Sequence, residues 1–243
     1  MNKKKLYKFF KDLKIKSGDN IMLHGDASII ANINHKDPIN FFFNELKLYL
    51  GKNGTILVPS FTYSFCKKKV FDLSKSKSEV GLFSETFRKR KNIFRTSHPI
   101  FSFCISGKSK NYFNNSDNKT CFGKKSLFEK FHKKNGLIIV IGRSFEFGAT
   151  FLHYIEEKLK VKYRYKKNFF GRTILNQKKR KSKVTYFVRD LNKDTSLKYK
   201  KDMYKILNKK KFNRLLNVSV RAEKLFNYCK KKMIVNQNYL IEE

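Results

Sequence analysis

Two polar side chains lie three residues apart in the stretch "LHYIEE", His153 and Glu156. Residues three apart share one face of a helix, so the carboxylate of Glu156 can reach the imidazole of His153. A carboxylate in that position fixes the imidazole tautomer and stabilises the imidazolium, which is the arrangement that a general base needs. The alternative is an ordinary ion pair on a helix surface, and the spacing alone does not separate the two.

Another histidine, His98, lies in "RTSHP", behind the hydroxyls of Thr96 and Ser97 and directly before a proline. In open α/β sheets, ligands collect at the carboxyl ends of strands. His24, His98 and His153 each lie next to the end of a predicted strand or on a helix with an apolar face. "RTSHP" is therefore either one wall of an active site or a turn that carries a polar ring.

The elements that must position these residues alternate between strands and helices. Buried strands are predicted for "NIMLHG", "GTILVPS", "PIFSFCISG" and "LIIVIG". Helices are predicted for residues 3–14, "DPINFFFNELKLYLG", "SEVGLFSETFRKR", "KKSLFEKFHKKNG" and "ATFLHYIEEKLK". This alternation predicts a layered α/β/α domain with helices on both faces of a central sheet.

The second half of the chain departs from this alternation. "YRYKKNFFGRTIL" and "KVTYFVRDL" read as paired strands around a turn near Lys178, so the sheet is mixed or a small β-hairpin region is added to it. Residues 61–78 and 107–120 are predicted loops. Further helices are predicted from Tyr199 to Lys210 and from about Val218 to Lys232. Because no linker or repeat divides the chain, residues 1–243 are expected to form a single domain.

The charge is strongly positive, with 56 Lys and Arg against 19 Asp and Glu and a net charge of +37. Such a field attracts nucleic acid, an anionic membrane surface or an anionic small molecule. The lysines spread along the whole chain, and only Lys178–Lys183 form a dense block. A diffuse basic surface by itself confers salt-sensitive, nonspecific affinity. A basic nucleic-acid-binding protein is therefore the alternative function, and no specific nucleic-acid partner is expected under the preferred one.

Several classes of protein lack their sequence signature here. The four cysteines form no CxxC pair, so neither a zinc ribbon nor a redox motif is predicted and no metal is expected. The dinucleotide fingerprint, the P-loop and the nucleophile elbow are absent from the sequence. No apolar run approaches the roughly 18 residues of a membrane span, and no signal peptide is evident, so we expect a cytoplasmic protein.

Five segments in order resemble the aminoglycoside 3-N-acetyltransferases, antibiotic N-acetyltransferases whose fold differs from that of the GNAT enzymes. "GDNIMLHGDASI" resembles the opening strand and HSSL-type loop of the family, and "GKNGTILVPSFTYS" its G-x-GTLVMPTFT segment. The stretch from "FDLSKS" to "RTSHPIFSFCISGK" resembles the family's FDP segment followed by RS-x-HP-x-x-SFAA-x-G. "CFGKKSLFEKF" resembles FG-x-x-SPL, and "GATFLHYIEE" resembles TSLHLAE. The resemblance covers about residues 17–160.

This resemblance implies a transferase that uses acetyl-CoA as donor and an amine of an amino sugar or aminoglycoside as acceptor, joined in a ternary complex. It implies that His153 takes the amine proton, that Glu156 orients His153 and that His98 lines the site. Asp190, in "VRDL", is a candidate for a second carboxylate. The resemblance also implies hydroxyl contacts to the pantetheine or phosphates of coenzyme A, with these candidates: Ser28, Ser60, Thr62, Thr96, Ser97 and Ser102.

The chain departs from the family pattern in its charge. Aminoglycosides are polycations, yet few carboxylates lie near the matched motifs: Asp26, Asp72, Glu85, Glu146, Glu157 and Asp190. The stretch "KYRYKKNFFGRTI" is similar to relatives in surface polysaccharide biosynthesis, where an amino sugar on a diphosphate carrier is anionic. Both antibiotic resistance and glycan biosynthesis therefore stay open. An inactive relative that only binds coenzyme A or sugar is a third hypothesis, against which the retained His153 and Glu156 argue.

Overall fold

A computed structural model describes residues 2–30, 33–145, 149–193, 202–212 and 215–241. Its larger sheet has seven strands in the order β4-β5-β2-β1-β6-β10-β9. The bounds of these strands are β1 Asn20–Gly25, β2 Thr55–Pro59, β4 Phe94–Arg95, β5 Phe103–Gly107, β6 Leu137–Ile141, β9 Asn208–Phe212 and β10 Leu215–Arg221. The three central strands are parallel to one another, and the outer pairs are antiparallel. The predicted mixed central sheet is confirmed.

Eight helices flank this sheet in the described residues: α1 Lys3–Asp12, α2 Ala27–Ile30, α3 Pro38–Leu50, α4 Leu82–Arg88, α5 Lys110–Asn114, α6 Leu127–Lys133, α7 Phe151–Leu159 and α8 Ala222–Val235. Short 3-10 turns add Tyr63–Lys67, Leu191–Lys193 and Met203–Ile206. The helix α3 begins as predicted, with the side chain of Asp37 accepting a hydrogen bond from the backbone N–H of Asn40 and with Pro38 at the first position.

The alternating direction of side chains along the central strands explains the three layers of the fold. In β1, Leu23 belongs to a core with the helices α1, α3 and α4, whereas Met22 belongs to a core with α6, α7 and α8. Ile139 and Ile138 of β6 divide between the two cores in the same way. Successive side chains of a strand point to opposite faces, so an uninterrupted apolar strand needs helices on both sides. The predicted α/β/α layering is confirmed.

A second sheet carries the predicted hairpin. It has the order β3-β7-β8, with β3 at Phe71–Asp72, β7 at Arg164–Leu175 and β8 at Lys178–Arg189. The long strands pair antiparallel along twelve residue pairs, from Arg164 with Arg189 to Leu175 with Lys178. The turn residues Asn176 and Gln177 have φ of 49° and 64°, as a tight hairpin turn with matching twist requires.

The Tyr199–Lys210 helix prediction was wrong throughout its described part, and the prediction from about Val218 to Lys232 was wrong over its first four residues. In the described part of the Tyr199–Lys210 prediction, a 3-10 turn precedes β9, and Val218–Arg221 belong to β10 rather than to a helix. Residues 199–201 lie outside the described residues. Residues 217–220 are all buried, because β10 pairs with β6 inside the sheet. Their sequence, Asn-Val-Ser-Val, alternates polar and apolar residues as a strand does, and the helix prediction overlooked that period. Lysines on the edge strand β9 are typical of an edge that resists further pairing.

Two predicted loops also contain regular structure. The stretch 107–120 includes α5, whose Phe113 is buried, and the stretch 61–78 includes a 3-10 turn and the two-residue strand β3. Phe113 anchors the first polar segment to the core, and Phe61, Phe65 and Phe71 anchor the second. The sequence shows too few such positions to reveal a period.

Gly107, at the end of β5, gives a stability test of this packing. Its φ is +129°, and a Cβ there would lie 2.2 Å from the backbone oxygen of Gly54. We expect Gly107→Ala to lower the free energy of unfolding by about 2–4 kcal/mol, from backbone strain and overpacking. Gly81→Ala is the matched control, since Gly81 has φ +104° with no described atom within 4 Å of its Cβ position. Urea unfolding should show the smaller loss for the control; equal losses would contradict the close-approach argument.

Candidate active site

Helix α7 carries His153 and Glu156 and buries most of its length. Leu152, Tyr154 and Ile155 pack in the core, and the side chain of Glu156 is 0% exposed. Nδ1 of His153 lies 2.8 Å from Oε2 of Glu156, and the His153 side chain is 21% exposed. The predicted three-residue spacing therefore produces a direct contact. The imidazole is partly exposed and the carboxylate that it contacts is buried, so the pair is not an ordinary ion pair on a helix surface.

A third group completes this contact, and sequence reasoning missed it. Nε of Arg164, the first residue of β7, lies 2.8 Å from Oε2 of Glu156, with the arginine side chain 2% exposed. A second guanidinium nitrogen of Arg164 lies 3.0 Å from Nδ1 of His153, and a third donates to the backbone oxygen of Phe187 at 3.2 Å. Among 56 basic residues, no spacing distinguishes this arginine.

The charges around His153 favour a neutral ring. Burial is the largest cause that lowers the pKa of His153, and the Arg164 guanidinium adds to it, while the hydrogen bond with Glu156 opposes it. Burial acts to raise the pKa of Glu156, but the hydrogen bond with His153 and the charge of Arg164 outweigh it and leave that pKa below its usual range. Nδ1 of His153 faces an acceptor, Oε2 of Glu156, and a donor, the Arg164 guanidinium, and it can hydrogen-bond only one of them in a given tautomer. In the neutral tautomer that donates Nδ1–H to Glu156, the Arg164 contact is one of charge and not a hydrogen bond, and Nε2 keeps its lone pair. Nε2 makes no hydrogen bond within the described residues, so it can act as a base.

Arg95, the first residue of "RTSHP", anchors this loop to the interior of the protein. Its Nε donates to Oγ of Ser102 at 3.1 Å, and another guanidinium nitrogen donates to the backbone oxygen of Ser60 at 2.7 Å. The guanidinium also lies over the ring of Phe71, 5.0 Å from its centroid. Arg95 is 6% exposed, so it ties the loop to β2, β3 and β5 from inside the protein.

His98 caps its own turn. Its Nδ1 accepts hydrogen bonds from the backbone N–H groups of Ile100, at 3.2 Å, and Phe101, at 2.9 Å. Burial lowers the pKa of His98 to about 4, so the ring is neutral and can accept both bonds. The structure does not bring His98 against His153. The two histidines are linked through two other rings, since Phe101 lies 6.2 Å from His98 and 4.9 Å from Phe122, and Phe122 lies 5.7 Å from His153.

Four of the six predicted cofactor hydroxyls lie inside the protein. Ser60, Thr62, Thr96 and Ser102 are at most 2% exposed. Thr62 donates to the backbone oxygen of Pro99 at 2.6 Å, and Oγ1 of Thr96 accepts from the N–H of Phe103 at 2.9 Å. The hydroxyls of Thr62, Thr96 and Ser102 fasten the loop to the sheet, whereas the buried hydroxyl of Ser60 makes no hydrogen bond within the described residues.

Ser28 and Ser97 lie nearer the surface. Ser28 follows β1, and its N–H and hydroxyl donate to Asp26 at 2.9 and 2.8 Å, which shapes the turn into α2. Oγ of Ser97 accepts from Nδ2 of Asn118 at 2.7 Å. Ser97 also lines a cavity of about 710 Å³ between the "RTSHP" loop, residues 118–120 and the β7–β8 hairpin.

Asp190 follows β8 and lines a different cavity, of about 480 Å³. Its carboxylate lies 3.4 Å from Nζ of Lys193, and its N–H donates to the backbone oxygen of Tyr163 at 3.1 Å. Tyr186 lines the same cavity, and its ring lies 5.8 Å from that of Phe122, which packs on His153. Asp190 therefore shares a cavity with Tyr186, whose ring packs on the same phenylalanine that contacts His153.

A family model described as aminoglycoside 3-N-acetyltransferase matches residues 22–234. The chain belongs to this family. It is an acyltransferase by family, as the resemblance predicted. No curated protein matches the chain by sequence.

Solved structures of the same fold extend the comparison. Sisomicin-bound AAC-VIa superposes with a TM-score of 0.80 at 17% identity, over 97% of this chain and 98% of that one. YokD from Bacillus subtilis gives 0.79 at 18% identity, over 96% and 99%. AAC-IIIb in a binary complex with CoASH gives 0.79 at 15% identity, over 96% and 97%. At these identities the superpositions establish the antibiotic N-acetyltransferase-like fold.

The described residues contain neither a membrane-spanning helix nor a cluster of metal ligands. No helix there is long and apolar enough to cross a membrane. No group of three or more His, Cys, Asp or Glu residues is arranged there to hold a metal ion. Of the predicted carboxylates, Glu146 lies outside the described residues.

The two neighbouring hydroxyls of "RTSHP" should behave differently when removed. Thr96→Val leaves the buried N–H of Phe103 without its acceptor, so we expect the free energy of unfolding to fall by about 1–3 kcal/mol. Ser97→Ala removes a hydroxyl at a cavity, and we expect a loss below about 1 kcal/mol. Urea unfolding of both variants measures the difference, and a larger loss for Ser97→Ala would reverse the assignment of the two roles.

Proposed function

We propose that the protein transfers the acetyl group of acetyl-CoA to an amine of a sugar-based acceptor, with His153 as general base. The observation that carries the proposal is the buried contact of His153 with Glu156, which leaves Nε2 of a partly exposed ring without a partner among the described residues. Membership in the aminoglycoside 3-N-acetyltransferase family supports the reaction class.

The chemistry requires a base because the acceptor arrives protonated. An alkylammonium has a pKa near about 10 and is not a nucleophile until it loses a proton. Nε2 of His153 takes that proton and passes it to solvent, and the amine nitrogen attacks the thioester carbonyl carbon to form the C–N bond. Nε2 then takes the second proton, which the nitrogen must lose to become an amide. The oxyanion then collapses and the C–S bond breaks, and the imidazolium returns its proton to the departing thiolate. The products are an amide and coenzyme A with a free thiol.

The cavity beside Ser97 is our candidate site for the phosphates of coenzyme A. Its basic lining residues are Lys119, Arg180, Lys181 and Lys183, and none of its lining residues is acidic. The hydroxyls of Ser97 and Ser182 add donors. Cationic side chains and hydroxyls are the usual partners of phosphate oxygens. A related fold, AAC-IIIb, binds CoASH, which agrees with a coenzyme A site in this fold.

Asp190 is our candidate carboxylate for the acceptor. Its cavity is lined by the rings of Tyr165, Phe169 and Tyr186, flat surfaces of the kind on which sugar rings pack. Lys167 and Arg189 line it as well, so it carries more positive than negative charge. We propose that an ammonium group approaches Asp190 while an anionic group of the same acceptor is held by the cations.

The charge of the whole chain favours such an acceptor over a polycation. A net charge of +37 repels a ligand with several ammonium groups. Two of the carboxylates near the matched motifs are already engaged, Glu85 with Arg88 at 2.7 Å and Asp26 with Arg143 at 3.7 Å. AAC-VIa binds sisomicin, so aminoglycosides belong in the test panel beside phosphorylated and nucleotide-linked amino sugars.

Replacing the base tests the reaction directly. We expect His153→Ala to lower kcat by roughly 10²–10⁴-fold, the usual scale of general-base catalysis, with a smaller change in KM. Release of the coenzyme A thiol from acetyl-CoA measures the rate across the acceptor panel. His35→Ala, at an exposed histidine on the loop before α3, is the control and should retain full activity. Unchanged turnover in His153→Ala would refute the base assignment, and no thiol release with any amine would refute the reaction.

Removing cations at the Ser97 cavity tests the cofactor site. We expect Arg180→Ala/Lys181→Ala to weaken coenzyme A binding at least about tenfold, because charge-assisted bonds to phosphate are lost. Lys178→Ala/Lys179→Ala removes the same charge from the same hairpin but not from the cavity lining, and should weaken it less than about twofold. Titration calorimetry at physiological salt measures both; equal losses would mean that only the diffuse field matters.

The same two double variants address nucleic-acid binding, the alternative function. Fluorescence anisotropy with duplex and single-stranded DNA measures the affinity as salt is raised. We expect affinity that vanishes near physiological salt, as nonspecific counterion release predicts. Affinity that persists there would favour the alternative.

A further inference from the structure

Arg164 occupies an unusual position for a cation, because it lies against the ring that the proposed reaction must protonate. Its guanidinium bridges both partners, with Nε 2.8 Å from Oε2 of Glu156 and another nitrogen 3.0 Å from Nδ1 of His153. Its side chain is 2% exposed and that of Glu156 is 0% exposed, so water screens this contact little.

Glu156, His153 and Arg164 together balance their charges with a neutral ring, which Glu156 and His153 alone would not do. A buried carboxylate whose only partner is an imidazole stabilises the protonated ring, because the pair then carries opposite charges. An imidazolium has no lone pair and cannot take a proton from an amine. Arg164 supplies the positive charge that balances Glu156, so the ring of His153 does not have to be protonated to do so. The guanidinium also repels a positive ring from the same side.

We propose that Arg164 is a positioning residue that keeps His153 neutral, with Nδ1–H donated to Glu156 and Nε2 free, at the pH where the enzyme works. The kinetic consequence rests on the proposed function, whereas the protonation of the ring does not. The hydrogen bond from Arg164 to the backbone oxygen of Phe187 fixes the guanidinium to β8, so the hairpin and α7 are held in register by the same side chain.

Other charged and titratable groups near the pair come from three elements. Arg189 of β8 also acts to lower the pKa of His153, and it belongs to the same hairpin as Arg164. Tyr163, before β7, and Cys229 of α8 face Glu156, and burial raises the pKa of both, so they are neutral at physiological pH. Removing Arg164 therefore takes away the cation that contacts both Glu156 and His153, and leaves Arg189 as a positive charge that acts on the ring.

Nuclear magnetic resonance of ¹⁵N-labelled histidine tests the proposal without turnover. In Arg164→Met we expect the titration midpoint of His153 to rise by about one to two pH units, the usual effect of removing a neighbouring like charge. Arg164→Gln, which keeps a donor without the charge, should show the same rise and covers the case in which Arg164→Met folds poorly. Arg172→Met removes an exposed arginine from the same strand and should leave the midpoint unchanged. A midpoint that stays or falls in both Arg164 variants overturns the proposal.

The pH dependence of kcat/KM supplies the second measurement. We expect the acidic limb to move upward in Arg164→Met and Arg164→Gln and to stay near the wild-type pH in Arg164→Lys, which keeps the charge but cannot bridge both partners. A uniform loss of activity at every pH, with the acidic limb of the kcat/KM profile unmoved, would show that Arg164 has only a structural role. If the titration midpoint of His153 rises in the Arg164 variants but the wild-type protein transfers no acetyl group, the proposed function fails and this inference stands. If acetyl transfer proceeds and the midpoints do not move, the reverse holds.

Discussion

A fully buried carboxylate is the constraint on which the candidate site depends. Glu156 is 0% exposed, and a charge removed from water must be compensated by partners that the fold brings to it. One partner, His153, comes from the same helix at a spacing of three residues. The other, Arg164, comes from the start of a long hairpin that packs beside that helix. Helix α7 and the hairpin must therefore dock in one relative position for the site to exist.

The packing around the pair enforces that docking. The ring of Phe122 contacts His153, Tyr186 and Phe101, so one apolar side chain joins the helix, the hairpin and the loop after "RTSHP". Cys121 and Thr185 pair through their backbones at the same place. The aromatic residues exclude water from one side of the imidazole, which strengthens the electrostatic contacts on that side. Packing and charge are thus not separate contributions here.

The surplus of lysine does not contradict this ordered site. The charges that control His153 are buried, whereas residues 178–181 are exposed at the hairpin tip. Exposed cations set the long-range field and favour anionic ligands, and salt screens them. The catalytic hypothesis rests on three buried or half-buried groups, and the ligand preference rests on the surface. The two could change independently in evolution, because neither depends on the other for its geometry.

The sequence by itself determined the local and periodic features of this protein. Apolar runs predicted the central strands and the α/β/α layers, and the spacing of His153 and Glu156 predicted their contact, because these depend on residues close together in the chain. Ordered motifs predicted the family. Only the tertiary structure decided what depends on distant segments. It turned the hydroxyls of Ser60, Thr62, Thr96 and Ser102 inward, separated His98 from His153 by two rings, and replaced part of a predicted helix with β10. It also selected Arg164 among many basic residues, since a buried carboxylate recruits whichever cation the fold carries to it.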